Sequence, residues 1–484
     1  KYIMGTKVAK KKEGLPIIHC VITVALMIVI GLLPPVDPIT SYGMQVIGVL
    51  VGVVYGMSTV DVYFPSLCAI IILALASGSF STSVVSMLGS TTVWGMIMVC
   101  IVLYAMQAER VTDFFANWII DRKILRGRPW LFSFAILVGD SLLSIISPEA
   151  AMLLFWEIIF AVCDAVKIDR KGPWSVSMIF GTCFASGVGI IYLPFMRNGL
   201  VVNNQFTAMS GGQVIDPLKY ILGIVPLGIC GIIIFILLCK FVFRIDVARL
   251  KDIDDSVVDR EALVLNARQK VVIGIVVAMI VLLLLPSLLP DCIVKTVLND
   301  LSLLGMSSIV VLLFCVIRIG GKPIIRIQEA SSKGVIWPMV MMVALIAPMG
   351  SALTSEDAGI ITLISDILNP LVSGKPAWIF VAIMVVVGII LTNFAQNLII
   401  MSLLTPIVIA MADTVNIDIY AVTCLLAIAT HYAVCLPSAS PSAGMMFANP
   451  NFKSSFAYKN GCITLLACAV FILTIGYLWV NLIF

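Results

Sequence analysis

Two stretches of the chain repeat one order of landmarks, and this repetition constrains the fold more than any single motif. Trp94 opens the apolar run WGMIMVCIVLYAM, an amphipathic stretch follows, and Pro129-Trp130 opens a second apolar run interrupted at Ser147-Pro148-Glu149. Trp337 opens WPMVMMVALIAPM, and Pro376-Ala377-Trp378 opens a run interrupted at Gln396-Asn397. From the second Trp to the interruption is about 17 residues in one copy and about 18 in the other, close to one membrane crossing, so the two breaks are expected at similar depth. Paired interrupted segments in two halves point to a secondary transporter whose binding site is built from the breaks.

Composition agrees. With 61% hydrophobic and 12% charged residues and a mean hydropathy of +1.13, the chain has about half the charge of a soluble domain. The expected class is an all-α polytopic membrane protein. The net charge of +4 comes from basic residues scattered through loops, and no phosphate-loop or zinc-spaced motif is present, so a nucleic-acid partner is not expected. Nor is an enzyme, because the sequence lacks paired His residues, metal-spaced ligands and a Ser/Lys dyad. Most of the thirteen cysteines fall in apolar runs and are read as packing residues. The run from about 17 to 34 follows Lys7, Lys10, Lys11 and Lys12 without a small-residue cleavage site, and is read as a retained first span.

Loop charge supplies the sidedness. The basic N-terminus is placed in the cytoplasm, with spans near 17–34, 44–57, 62–79 and 93–108 leading to an inner segment with Arg110, Arg122, Lys123, Arg126 and Arg128. The apolar stretch 130–163 has basic flanks on both sides, including Lys167, Arg170 and Lys171, and is read as a re-entrant hairpin entered from the cytoplasm. The stretch 377–412 is flanked by Glu356, Asp357, Asp413 and Asp418 and is read as a hairpin entered from outside. The result is about eleven transmembrane helices plus two oppositely oriented hairpins in an inverted repeat. Its parts are a tail and first span (1–43), repeat 1 (44–243), a cytoplasmic linker (244–269) and repeat 2 (270–484), with the C-terminus outside a plasma membrane. Residues 111–125, and more weakly 359–368, place apolar residues at helical spacing and are expected to lie in the interface before each hairpin.

Backbone at membrane depth leaves a helix only where protein or water satisfies it, so the breaks are where a cavity and its chemistry are expected. Helix N-termini that start there suit a carboxylate, and freed carbonyls suit Na+. Hairpin one offers Ser144, Ser147 and Glu149; hairpin two offers Thr392, Asn393, Gln396 and Asn397. The span after hairpin one is broken from Gly187 and Gly189 through Pro194, Arg197 and Asn198, and its counterpart from Pro437 and Ser438 through Ser440, Pro441 and Ser442.

The stretch HYAVCLPSASPSAGMMF (431–447), with TNFAQNLI (392–399) and Thr405-Pro406, resembles the divalent anion:sodium symporter family of the ion transporter superfamily. The resemblance implies a homodimer with a scaffold and a moving, elevator-type transport domain, and hairpin tips of sequence Ser-Asn-Thr that hold Na+ and a substrate carboxylate. The first tip keeps Ser147 but has Pro148 for Asn and Glu149 for Thr; the second keeps Asn397 but has Gln396 for Ser and Leu398 for Thr. The substrate set is therefore expected to be Ser147, Glu149, Arg197, Asn198, Asn397, Ser440 and Ser442, with cations at Ser144, Ser147, Gly189, Thr392, Gln396, Asn397, Pro437 and Ser438.

Two charges distinguish this chain. An ionisable residue near the bilayer centre costs about 2.5–3.5 kcal/mol on insertion scales and is usually functional. Glu149 and Arg197 either pair with each other, or Arg197 takes a carboxylate while Glu149 takes an amine or a proton. Asp140 and Glu157 on the arms of hairpin one, and the lone His431, have bland readings as polar helix contacts. The expected function is cation-coupled transport of a small organic anion, with Na+ or H+ as coupling ion and no other cofactor. A proton/cation antiporter and a transporter of a zwitterionic, amino-acid-like substrate are the alternatives.

Overall fold

Proline marks where many of the helices begin. Pro129, Pro148, Pro173, Pro217 and Pro441 each occupy the first turn of a helix, where the missing N–H has no intrahelical partner to lose. A computed structural model describes residues 17–76, 78–120, 127–252, 264–360, 362–363, 366, 376–394, 396–437 and 439–484. The chain is almost wholly helical and divides into two units: Lys1–Leu88 with Trp337–Leu363, and Gly89–Ile336 with Ile364–Phe484.

The first unit contains α1 (Ile17–Gly31), α2 (Ser41–Thr59), α3 (Tyr63–Ala76), α4 (Phe80–Leu88) and α15 (Trp337–Thr354). Its closest packing is α1 on α2, through Gly48, Gly52 and Gly56 at four-residue spacing. A Cβ on Gly48 would stand 2.6 Å from the Met27 carbonyl, and one on Gly52 would stand 2.3 Å from the Met27 side chain. Small residues every fourth position let two apolar helices meet backbone to backbone, which is how helices associate where lipid removes the hydrophobic drive.

The second unit holds both interrupted runs. It comprises α5 (Thr91–Ala108), α6 (Val111–Ile120), α7 (Pro129–Leu143), α8 (Pro148–Ala165), α9 (Pro173–Gly189), α10 (Arg197–Met209), α11 (Pro217–Leu237), α12 (Ala267–Leu284), α13 (Ile293–Val316) and α14 (Ile327–Lys333). A two-residue hairpin pairs β1 (Arg318–Ile319) with β2 (Lys322–Pro323). Then come α16 (Ala377–Phe394), α17 (Asn397–Val415), α18 (Ile419–Thr430), α19 (Pro441–Ala448) and α20 (Ser454–Ile483), the last carrying π turns at Ala457–Gly461 and Ile472–Gly476.

Its two halves pack alike. The arms α7 and α8 both contact α9, and the arms α16 and α17 both contact α18. After each break the chain crosses over: α10 packs on α17, and α19 packs on α8. Arg268 ties the start of the second half to the first, because its guanidinium meets Glu109 Oε1 at 2.8 Å and donates to the carbonyls of Pro323 and Ile324, each at 2.9 Å.

Several expectations shift. Among the described residues six helices are long and apolar enough to cross a membrane, alongside shorter apolar helices, so length and composition alone do not give eleven spans. The stretch 111–125, expected at the interface, is helical over Val111–Ile120, with 121–126 outside the described residues, as are half of 359–368. The break in the first half starts later than Gly187, because α9 continues through Gly189. The break in the second half starts earlier than Pro437, because α18 ends at Thr430.

Candidate substrate and ion site

Four helices in the second unit start at breaks: α8, α10, α17 and α19. Two are capped by serine. Ser147 Oγ accepts from Ala150 N at 3.3 Å, and Ser440 Oγ accepts from Ala443 N at 3.1 Å while donating to the Ala433 carbonyl at 3.1 Å. The other two, α10 after Met196 and α17 after Gln396, have no side-chain cap. At α17 the Leu398 N–H is instead taken by Asn397 Oδ1, and at α10 the Gly199 N–H meets the Ile190 carbonyl at 3.4 Å, so what an uncapped start offers an anion is its partial positive charge and its very first N–H groups.

Arg197 is the first residue of α10 and sits at φ 49°, in the left-handed region that non-glycine residues rarely adopt. Its side chain is 6% exposed and meets Glu149 Oε2 through Nη2 at 3.4 Å, while Nε has no acceptor. A guanidinium has five N–H donors, so one long contact among the described residues leaves a buried cation short of partners. Glu149 lies in the first turn of α8, where a carboxylate complements the helix dipole, and Ser147 Oγ is 3.5 Å from the same Oε2.

The neighbouring Asn198 reaches the other half. Its Nδ2 is 3.2 Å from His431 Nε2, and His431 Nδ1 is 2.8 Å from the Ala427 carbonyl. One tautomer satisfies both contacts: Nδ1–H donates to the carbonyl and Nε2 accepts from the amide. His431 thus caps the end of α18 and ties break two to the start of α10, the polar helix contact that its isolation in an apolar run suggested.

Hairpin two supports break two from within. Asn393 Oδ1 accepts from the N–H groups of Val434 and Cys435 at 3.1 and 2.8 Å, and its Nδ2 donates to the Ile389 and Tyr432 carbonyls at 2.8 and 3.1 Å. The Thr392 hydroxyl donates to the Thr430 carbonyl. These bonds satisfy the backbone that leaves α18 at Thr430, and they explain why the helix ends well before Pro437. Gln396 Oε1 is buried without a partner, and Asn397 Oδ1 accepts from Leu398 N at 2.9 Å. Ser442 is buried in α19 and Pro437 is exposed; Ser438 lies outside the described residues.

In half one, Ser144 Oγ donates to the Asp140 carbonyl and touches Ser186 Oγ, with Asp140 fully buried beside them. Gly189 belongs to the same packing: a Cβ there would stand 2.0 Å from the Ser141 carbonyl, so glycine is needed for α7 and α9 to close. An apolar cavity of about 350 Å3 opens next to break one, lined by Leu142, Ile146, Leu193, Met196 and residues of α6 and α12. Its almost wholly apolar lining does not suit an anion. The geometry brings Glu149 to Arg197, Asn198 to His431, and Ser144 to Asp140 and Ser186. Among the described residues no hydrogen bond joins Asn397, Gln396, Ser440 or Ser442 to these groups.

Sequence reasoning passed over Ser186 and the run Asn203-Asn204-Gln205. Gln205 Nε2 donates to the Leu398 carbonyl at 3.3 Å, and polar atoms of all three amides are buried without partners. Three consecutive amides in so apolar a chain were the available signal.

The family model described as the sodium:sulfate symporter transmembrane region matches residues 16–484. The chain belongs to the sodium:sulfate symporter family. The resemblance read from residues 392–399 and 431–447 therefore holds for the whole described chain, and the protein is a multi-pass membrane protein of a transporter family. An uncharacterized transporter of Haemophilus influenzae is 27% identical over 124 residues, a match covering 26% of this chain and 27% of that protein. The chain thus spans about a quarter of the length of that relative. The YdaH transporter of Alcanivorax borkumensis shares the fold, with a TM-score of 0.56 and 12% identity over 96% of this chain and 97% of that one.

Proposed function

We propose that the protein is a secondary active transporter of a small organic carboxylate, coupled to Na+ or H+. The observation that carries this reading is Arg197: a buried guanidinium with one 3.4 Å ionic contact among the described residues, at a helix start whose preceding residue gives no side-chain cap. The carboxylate would bind Arg197 and the N-terminal end of α10, with Asn198, Ser147, Ser440 and Ser442 as the further polar groups of the set. Na+ would use Gln396, Asn397 and the carbonyls around Pro437, in the half whose tip keeps the Asn of the family pattern. The hairpins would enter from opposite faces of the plasma membrane, and an elevator-type movement in a homodimer is what family membership supports.

A second reading, a zwitterionic amino-acid-like substrate, is favoured by Glu149, whose side chain is 44% exposed and so open to an ammonium group beside Arg197. Binding and proteoliposome uptake of labelled succinate and aspartate, with and without imposed Na+ and proton gradients, test both readings. Replacing Arg197 with Gln removes a charge-assisted bond of roughly 1.5–3 kcal/mol, so affinity should fall about ten- to a hundredfold. Unchanged affinity in Arg197→Gln would sink the carboxylate site. Cation exchange with no organic substrate would favour an antiporter instead.

A further inference from the structure

Half one contains a closed ring of three short oxygen contacts. Ser144 Oγ is 2.7 Å from the Asp140 main-chain oxygen and 2.8 Å from Ser186 Oγ, and Ser186 Oγ is 2.7 Å from Asp140 Oδ2. All three residues are fully buried. Two oxygens at such a separation need a hydrogen between them, because opposed lone pairs repel. The two hydroxyls supply two hydrogens and the main-chain carbonyl supplies none. With an ionised carboxylate, one of the three contacts is left without a hydrogen however the hydroxyls rotate. With a protonated Oδ2 the count closes: Asp140 donates to Ser186, Ser186 to Ser144, and Ser144 to the Asp140 carbonyl.

The surroundings agree with a neutral acid. Oδ1 is buried and has no partner, which suits the carbonyl oxygen of a carboxylic acid better than one end of a carboxylate. Among the described residues no cation is paired with Asp140. The titratable side chains facing Asp140 are the Cys183 thiol on α9 and, beside Ser141, the Tyr192 hydroxyl from break one. On the other packed elements, Glu157 of α8 is exposed, Asp164 of α8 pairs with Arg170 and Asp113 of α6 with Arg110. Lys219 of α11 lies over the Phe484 ring, and Arg249 donates to the Lys167 carbonyl.

We propose that Asp140, held by Ser144 and Ser186, is a proton-binding site, and that its proton is a coupling ion of half one. The coupling role rests on the transporter reading above; the proton site does not. It sits in the half whose tip has Pro148 and Glu149 where the family's Na+-binding pattern has Asn and Thr.

Infrared difference spectra of the lipid-reconstituted protein at neutral pH, wild type minus Asp140→Asn, test the site without any substrate. The Asn amide donates to Ser186 as the acid would, so this variant keeps the ring and should fold. The expected result is a carboxylic-acid C=O stretch that shifts in D2O, disappears in Asp140→Asn and moves in Ser186→Ala. Carboxylate bands in its place would overturn the proposal. In proteoliposomes an inward proton gradient should speed wild-type uptake of labelled succinate several-fold, whereas Asp140→Asn should keep succinate exchange and lose the gradient effect. Gradient-driven uptake that survives in Asp140→Asn refutes the coupling role. A wild type that carries no succinate yet shows the acid band rejects the carboxylate reading and supports the proton site.

Discussion

The Arg197 side chain is 6% exposed and that of Glu149 44%, so the two ends of their 3.4 Å contact lie in unlike surroundings. A half-exposed carboxylate is solvated on its open side and offsets only part of the desolvation cost of a buried guanidinium. Glu149→Gln should therefore leave anion binding intact or stronger, because the substrate's carboxylate no longer competes for Arg197. The same change should lower stability by about 1–3 kcal/mol, since it leaves a buried donor less well paired. Titrating succinate and aspartate by thermal shift reads both effects. Loss of aspartate preference alone would give Glu149 the substrate amine, and loss of all anion binding would contradict the competition argument. Arg197 was legible in the sequence because a charge in an apolar run needs a reason. The work of Asn393 was not, because its four bonds go to carbonyls and N–H groups of a loop whose position only the tertiary structure gives.

Proline signalled where helices restart more faithfully than where they stop. Pro148 and Pro441 both stand in the first turn after a serine cap, as their fixed φ and missing N–H favour. The ends of α9 and α18 carry no comparable local mark. The end of α18 falls where Thr392 and Asn393 of the neighbouring hairpin take over the backbone, and the chain leaving α9 turns on its own carbonyls, with Tyr192 N bonded to the Gly189 oxygen at 3.2 Å; a one-dimensional pattern shows neither. The glycine stripe of α2 was equally quiet, since Gly48, Gly52 and Gly56 are ordinary residues for a membrane helix until a partner helix is known. Gly52→Val would put a branched side chain where a Cβ already stands 2.3 Å from Met27 Cγ and 2.9 Å from the Thr23 carbonyl. The α1–α2 contact would have to open, at a cost of about 1–3 kcal/mol. A lower midpoint of thermal unfolding is the expected result, and a midpoint equal to wild type would mean that the helices are not held this closely.

The duplication seen in the landmark order reappears in how each hairpin ends. Lys167 after α8 and Asn416 after α17 both take left-handed backbone conformations, at φ 55° and 56°. In each case the next N–H reaches back five residues: Ile168 N to the Cys163 carbonyl at 2.8 Å, and Ile417 N to the Ala412 carbonyl at 3.1 Å. These are two copies of one helix-ending motif, at equivalent positions of the two halves. Their surroundings carry opposite charge, with Lys167, Arg170 and Lys171 around the first and Asp413 and Asp418 around the second. Positive charge is retained on the cytoplasmic side, so equivalent positions with opposite flanks should lie on opposite faces of the membrane. In a background with the exposed Cys292 and Cys462 replaced by Ser, Lys167→Cys should react with an impermeant maleimide only from the cytoplasmic side, and Asn416→Cys only from outside. Labelling of both from one side would leave the repeat parallel and remove the inverted architecture on which a midplane site between the two hairpin tips depends.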